Sequence, residues 1–465
     1  MQNVRASAAI ALTSVLRDGR SFSGELDSSH LDSRNEAATS DKHTLDSRDI
    51  ALYRELCFGT LRHFYYLDAV LKPFLRKPLG KKDTDIRALL LMGLYQIIFL
   101  RTPDHASLNA TVDACKTLKK PWAKGLTNAV LRNYLRTIDI QQETTEAGLP
   151  AIKDAAAQQS HPTWLYEKIQ RAWPNQWQSI IDYNNALPPM CLRINLQQCS
   201  RDDYQQQLIE RDIASHCCAI TDTGIILEKP VDVSALPHFD QAWSSVQDAG
   251  AQLAAKLLDA QPGDYVLDAC AAPGGKAAHL LQHTPNLHLL AMDASATRLE
   301  RVKQTIERCL AGVNDSNDAS IVAEQVQTRR ADAAELDTWW QRQPLDKILL
   351  DAPCSGSGII SHHPDIKLLR RAADLVSFNT QQRRLLEGLW PALAEGGQLL
   401  YCTCSIMPEE NADMINCFLA QTPSAVLEPL QVDWGVDTGA GHQLLPNTGK
   451  NGGFFYAKIS KRTTP

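Results

Sequence analysis

The sequence predicts a multidomain chain: an all-α N-terminal domain over residues 1–140, a linker or linker helix over 141–160, a small α+β domain over 161–240, and a doubly wound α/β domain over 241–465. Three observations predict it. Apolar residues recur three and four apart nearly throughout the first domain, as in Ile86, Leu89, Leu90, Gly93, Leu94 and Ile97, the spacing that lines one buried helix face. The string Pro-Pro-Met-Cys-Leu-Arg-Ile-Asn at 188–195 breaks that texture and reads as a strand. Beyond residue 246, short apolar runs alternate with helix-length segments in the manner of βαβ units.

The totals fit this division. A chain of 465 residues is long enough for about two to four domains, and 44% hydrophobic with 22% charged residues is close to the globular average, which excludes wholesale disorder and a collagen-like repeat. The longest apolar stretch, 89–100, contains Gln96 and falls short of the ~20 residues that span a bilayer. No membrane partner is expected. Twelve cysteines without a C-x-x-C pair form neither a disulfide framework nor a zinc ribbon. The expected compartment is reducing and cytoplasmic, and no metal is expected.

Taken in order, the first helix is expected at the N-terminus, where Arg5 precedes an apolar run over 8–16. That run continues as Leu-Arg-Asp-Gly with no small-residue cleavage site, so it reads as an amphipathic helix and not as a signal peptide. Lys77-Pro78 and Lys120-Pro121 punctuate two helices, and Pro103-Asp104 sets a helix start near Ser107. Residues 141–159 are polar, Ala-rich and weakly periodic, as a linker is. A short helix over 164–173 leads into the strand at 188–195. In the last domain strands are expected at 265–268, 287–293, 348–351 and 398–402, with a polar loop at 312–320.

The net charge of −6 is unevenly spread: residues 71–136 carry thirteen basic side chains against four acids. With Trp122 and Tyr134 interleaved, that helical segment reads as a surface for RNA phosphates in preference to a merely solvated face. Arg193 and Asn195, in the small domain, are either RNA-orienting groups or ordinary polar residues at a strand end.

At 265–276 an apolar strand ends on Asp268, and a turn of small residues, Cys270-Ala-Ala-Pro-Gly-Gly-Lys276, opens a helix. Small residues let the backbone approach a ligand, and a new helix N-terminus offers unpaired N–H groups. Asp293 ends the next strand where a carboxylate can accept from ribose hydroxyls, and Asp332 is placed to cap a third strand near an adenine amine. The G-x-G-x-x-G fingerprint is absent, which argues against NAD.

Cys354, in Asp351-Ala-Pro-Cys-Ser355, and Cys404, in Thr403-Cys-Ser405, each lie just past a buried strand, where open α/β sheets place their reactive crevice. Cys57, Cys115, Cys191 and Cys309 read as small buried hydrophobes, Cys270 as packing in the turn, and Cys402 as facing away from Cys404 across the strand. A thiolate adding to position 6 of a pyrimidine turns carbon 5 into a nucleophile toward an electrophilic methyl. Asp351 can hydrogen-bond the ring and stabilise developing charge. The target base must be flipped out or unpaired.

These strings resemble the RNA 5-methylcytidine methyltransferases of the NOL1/NOP2/Sun class. The resemblance implies S-adenosyl-L-methionine as cofactor, Cys404 as nucleophile, Cys354 in product release and Asp351 on the target cytosine and at the edge of the cofactor pocket. Cys270, Ala271, Ala272, Pro273, Gly274, Gly275, Lys276, Asp293 and Asp332 would hold the cofactor. His105-Ala-Ser-Leu-Asn-Ala-Thr-Val and Gly125-Leu-Thr-Asn-Ala-Val-Leu-Arg132 are similar to the NusB RNA-binding fold, and the last domain would be Rossmann-like. The full pattern, with His363-Pro-Asp-Ile-Lys367, Pro408-Glu-Glu-Asn411 and Gly452-Gly-Phe-Phe-Tyr-Ala-Lys458, resembles the subfamily that methylates one cytidine of 16S ribosomal RNA. Its partner would be that RNA or the assembling small subunit, with no DNA. Ser361-His362 stands where the family commonly has two arginines, which weakens any phosphate contact there. Rival readings are the same chemistry on tRNA or another RNA, a DNA cytosine methyltransferase with Cys354 as nucleophile, and a non-catalytic assembly or antitermination factor.

Overall fold

The computed structural model describes residues 3–22, 47–100, 103–140, 150–311 and 325–463. The expected polar loop at 312–320, the linker residues 141–149 and Arg101 lie outside the described residues. Two compact units emerge, one from Met1–Asn185 with Ile360–Ala372, the other from Ala186–Ile359 with Ala373–Pro465.

The first unit is helical. Helix α1 (Val4–Asp18) is capped by Asn3, whose side chain accepts from the backbone N–H of Arg5 and Ala6, and it stops at left-handed Gly19. Helices α2 (Ser47–Arg62), α3 (Phe64–Leu71), α4 (Thr84–Ile98), α5 (Asp104–Thr117) and α6 (Ala123–Ile140) follow. The long apolar stretch is α4, buried all round from Ala88 to Gln96, as a helix in the middle of a core must be. Gln96 survives there because its oxygen accepts from Arg5 Nε at 2.9 Å and its amide donates to the Met92 carbonyl. At Gly59 of α2 a Cβ would overlap the Tyr95 ring, so only glycine permits that approach. Helix α5 begins at Asp104, earlier than the expected Ser107, because the Pro103 carbonyl accepts from the N–H of Ala106 and of Ser107.

Helices α7 (Ala155–Gln158), α8 (Thr163–Ala172) and α9 (Trp177–Asn185) complete the sequential part of this unit. The returning segment carries α14 (Ile366–Leu369) and is fastened by polar contacts. Arg62 donates to the Ser361 carbonyl at 3.1 Å, Asp365 accepts from Ser21 Oγ and from the Phe22 N–H, and buried Lys367 donates to the Arg62 carbonyl and to Asn185 Oδ1.

The second unit holds two sheets. The smaller is antiparallel, in the order β2 (Ser215–Cys217), β3 (Gly224–Leu227), β1 (Met190–Ile194), β4 (Ser244–Val246), with α10 (Arg201–Glu210) supplying Tyr204 and Leu208 to its core. In the larger, β5 (Tyr265–Asp268), β6 (His288–Asp293), β7 (Val326–Arg330), β8 (Leu345–Asp351) and β9 (Leu393–Thr403) run parallel in the order β9-β8-β5-β6-β7. Antiparallel β13 (Phe454–Lys461) pairs with β9. Strand β13 also carries β10 (Ala425–Glu428) and, through β12 (His442–Leu444), β11 (Val436–Asp437). Helices α11 (Ala249–Leu258), α12 (Gly275–His283), α13 (Ala296–Ala311), α15 (Asp374–Leu389) and α16 (Ala412–Gln421) connect and cover these strands. The chain steps outward from β5 through β6 to β7 and then crosses back to β8 on the other side of β5, so a crevice opens at the carboxyl ends of β5 and β8. Among the described residues no helix is long and apolar enough to cross a membrane, and no cluster of His, Cys, Asp and Glu could hold a metal.

Candidate active site

The crevice begins where β5 ends. Asp268 is fully buried; neither carboxylate oxygen completes a well-aligned hydrogen bond, and the nearby Cys270 N–H favours its charged form only in part. Burial, and then the charge of Asp351, push its carboxyl up to about 7 against the pull of Lys276. The chain then turns through Cys270–Lys276, with Ala271 N–H on the Met292 carbonyl and Thr305 Oγ1 on the Pro273 carbonyl. Gly274 sits at φ +101°, where a side chain would press on the Val302 backbone. Helix α12 starts at Gly275, where an added Cβ would meet only the Gln247 amide. An orphaned buried carboxylate beside an open glycine backbone suits a small ligand that carries a cation. That fits the ammonium-bearing end of S-adenosylmethionine.

Asp293 and Asp332 follow at the ends of the next two strands. Asp293 accepts from Ser295 N–H at 2.8 Å and pairs with Arg298 at 2.9 Å. Asp332, two residues past β7, accepts from Ala334 N–H and pairs with Arg384 of α15. Lys276 reaches the other way. Its ammonium lies 2.5 Å from Asp351 Oδ2 and 5.7 Å from the centre of the Phe454 ring. Burial alone would lower it, but Asp351, together with Cys402 and Cys404, outweighs burial and holds it charged. The Cys270 thiol is pushed well up by burial and by Asp351 and Asp268, so it stays neutral.

Strands β8 and β9 bring the two predicted cysteines together: Cys354 Sγ and Cys404 Sγ are 3.4 Å apart. The Cys354 thiol is raised well above its ordinary range by its contact with Cys404, then by burial and the charge of Glu410. Cys402 corrects the expectation that it faces away. Side chains two apart on a strand share a face, and Cys402 Sγ donates to Asp351 Oδ1 at 3.4 Å. It is Thr403 that turns to the opposite side, donating to Asn411 Oδ1. Burial and Asp351 keep Cys402 a neutral thiol.

Beneath the thiols lies a polar floor to which the sequence reading gave no role. Glu410, fully buried, accepts from Ser355 N–H at 2.8 Å, Ser355 Oγ at 2.6 Å, Ser405 Oγ at 2.5 Å and Gln382 Nε2 at 3.4 Å. Its carboxyl is raised by burial against those donors. Asn411 and Gln443 both donate to the Ser405 carbonyl, and Gln382 donates to the Pro353 carbonyl. Pro408-Glu-Glu-Asn411 was visible as a motif; Gln443 carried no signal in the sequence.

Two further expectations are revised. Arg193 is buried: its guanidinium donates to Gln247 Oε1, to the Gly275 carbonyl at 2.7 Å and to Gln282 Oε1. It therefore braces the small sheet against the glycine turn and is closed to RNA, and buried Asn195, bonded to the Ala242 carbonyl, is closed as well. In the helical unit Tyr134 is buried while Trp122 is exposed. Lys120 is committed to Asp83 and Asp85, Arg87 to Asp68 and Lys124 to Asp113. Arg76, Lys77, Lys81, Lys82, Lys116 and Lys119 remain exposed.

Comparison with known proteins identifies the family. Residues 255–460 match the family described as 16S rRNA methyltransferase RsmB/F, residues 161–234 its ferredoxin-like domain and residues 2–136 the NusB family. The chain is 43% identical to a "Ribosomal RNA small subunit methyltransferase B" of Pseudomonas putida, covering 99% of this chain and 98% of that one. A protein of the same description from Vibrio cholerae is 40% identical, with 99% and 98% covered. Among solved structures, PH0851 shares the fold at 21% identity and a TM-score of 0.78, covering 98% of this chain and 99% of that one. A methyltransferase homologue from Pyrococcus horikoshii is 26% identical at a TM-score of 0.52, covering 65% of this chain and all of that one. The fold is thus a NusB-like helical domain, a ferredoxin-like domain and a Rossmann-like methyltransferase domain in one chain, and the protein belongs to the 16S rRNA methyltransferase RsmB/F family.

Proposed function

We propose that this methyltransferase acts on carbon 5 of a cytidine in small-subunit ribosomal RNA, that the cytidine is the one at position 967, and that the reaction passes through a covalent adduct with Cys404. The observation that carries the reading is the meeting of Cys354 and Cys404 at 3.4 Å beside the Lys276–Asp351 pair. S-adenosylmethionine, held by segment 270–276, Asp293 and Asp332 with Asp351 at the pocket's edge, supplies an electrophilic methyl group. The Cys404 sulfur forms a bond to carbon 6 of the flipped cytosine, which makes carbon 5 nucleophilic. Asp351, fixed by Lys276, hydrogen-bonds the ring and stabilises the charge that develops there. Once carbon 5 is methylated, its proton passes to water, the pair of that C–H bond re-forms the ring double bond, and the carbon 6–sulfur bond breaks with its pair returning to the Cys404 sulfur as a thiolate. Cys354, held as a neutral thiol 3.4 Å from the sulfur, assists that release. Exposed lysines and arginines of 71–136 hold RNA phosphates, and the work is done in the cytoplasm on ribosomal RNA or the assembling subunit.

Trapping on RNA containing 5-fluorocytidine tests the chemistry, because fluorine blocks the loss from carbon 5. The adduct is expected to vanish in Cys404→Ser and persist in Cys354→Ser; the reverse pattern assigns the nucleophile to Cys354. Mapping 5-methylcytidine in ribosomal RNA from cells with and without the protein tests the substrate. If another RNA loses its mark while the ribosomal site keeps it, the chemistry stands and the substrate is wrong.

A further inference from the structure

The two thiols belong to separate loops, and their separation has to be set by something that joins those loops. Backbone bonds join them at two places, Ala352 N–H to the Cys402 carbonyl and Gly358 N–H to the Cys404 carbonyl. Between these points the hydroxyl of Ser355, next to Cys354, and that of Ser405, next to Cys404, converge on one carboxylate. Each hydroxyl oxygen also receives a backbone N–H, Ser357 to Ser355 at 3.3 Å and Met407 to Ser405 at 3.0 Å. Because an ionised carboxylate only accepts, both hydroxyls donate to it, and Ser357 Oγ, 3.1 Å from each of them, adds a further tie between the loops.

Glu410 meets this demand because an ionised carboxylate only accepts and has two oxygens with room for about four donors. Oε1 takes the Ser355 N–H and the Gln382 amide, and Oε2 takes both hydroxyls. A glutamine offers one accepting oxygen and replaces the other with donors, which the serine oxygens can take only by turning their own protons away. Glu410 itself is anchored where its turn meets β9, with Tyr401 OH on its carbonyl at 2.7 Å and Asn411 bonded to Thr403 and to the Ser405 carbonyl.

We propose that Glu410 is a positioning residue that fixes the distance between Cys354 and Cys404, so that the attacking and releasing thiols address the same pyrimidine ring. This rests on the function proposed above for the two cysteines. The test compares full-length wild type, Glu410→Gln and Glu410→Ala in three measurements. The first is the rate of adduct formation on 5-fluorocytidine RNA. The second is the affinity for S-adenosylmethionine by calorimetry. The third is the rate at which a diazenedicarboxamide oxidant, itself reduced to the hydrazine, takes two hydrogens from the thiols to join Cys354 and Cys404, read by peptide mass spectrometry.

Misplacing a reacting group by about 1 Å costs roughly a hundredfold, so Glu410→Ala should lose about that in adduct rate and cross-link more slowly, with cofactor affinity unchanged. Glu410→Gln, which keeps the shape and one accepting oxygen, should lie between. A general loss of structure would lower all three measurements together. Wild-type cross-linking in Glu410→Ala, or in Glu410→Gln if the alanine variant does not fold, overturns the proposal. If wild type forms no adduct, the functional reading fails, and the cross-linking comparison still decides the role of Glu410.

Discussion

The two ends of the crevice differ in how far the protein satisfies its own polar groups. Under the thiols, Glu410, Ser355, Ser405, Asn411 and Gln443 are joined by short hydrogen bonds. At the glycine turn, Asp268 is equally buried, and neither of its oxygens completes a well-aligned hydrogen bond. A densely bonded network, here lacking a partner at Gln382 Oε1 on its margin, holds reacting groups in place before a substrate arrives. A buried carboxylate without donors is costly and is relieved by whatever binds there. The cysteine end is therefore preorganised, whereas the turn, under the function proposed above, is left for its ligand to complete.

The sharpest way to break this comparison is at the preorganised end. Cys404→Ala should lower methylation by about a thousandfold or more, as loss of a covalent nucleophile does, without changing cofactor affinity. Steady-state methylation of ribosomal RNA and calorimetry on the same preparation check both halves. Cys354→Ala should slow turnover by about a hundredfold, within the range for a lost proton-transfer partner, while the adduct forms and accumulates. Normal turnover without a lingering adduct would remove Cys354 from the release step.

Asp268→Asn sharpens the other side, with an affinity loss of about ten- to a hundredfold, the worth of a hydrogen bond to a charged group. The sign of its pH dependence follows from the raised carboxyl. Folding pushes that group from 3.8 up to about 7, so its contribution to stability is full below the unfolded value and is lost as pH rises through about 7. Without ligand, the asparagine variant should gain stability over wild type as pH climbs from about 4 to 8. Bound ligand should reverse the order by giving the ionised wild-type carboxylate a partner. Denaturation midpoints across that range, with and without S-adenosylmethionine, measure it; a pH-independent difference would mean that Asp268 does not titrate there.

Much of this architecture was legible because hydrophobic period and strand-ending motifs are local signals. The run from Leu89 to Ile98 had to be a helix, and an apolar strand that ends in Asp268 before small residues had to turn. Cys354 and Cys404 could be located by the same logic, each one step past a buried strand. Glu410 was not legible as a clamp, since Pro-Glu-Glu reads as ordinary acidic residues at a helix start. Only folding brings Ser355, fifty-five positions away, onto its oxygens. Arg193 misled for a related reason: an arginine in a strand reads as a surface group until its acceptors, Gln247, Gly275 and Gln282, are seen around it. The seating of Ser361, Asp365 and Lys367 within the helical unit is likewise a long-range fact that local pattern cannot hold.

Arg193 also gives the smallest and most discriminating prediction. Its guanidinium is buried without a carboxylate, and desolvation brings it down to about 10, so it is charged at neutral pH and bears that cost with carbonyl oxygens alone. Arg193→Met removes that desolvation cost but leaves three buried oxygens without their donor, so it should cost about 2–3 kcal/mol of stability. What methionine cannot do is hold the Gly275 carbonyl and the two glutamines together. The turn would then be left to the Ala271–Met292 and Thr305–Pro273 bonds, and cofactor affinity should fall several-fold while the Cys354–Cys404 cross-linking rate stays at the wild-type value. If cross-linking slows too, the two ends of the crevice are mechanically one, and the division into a preorganised end and a ligand-completed end is wrong.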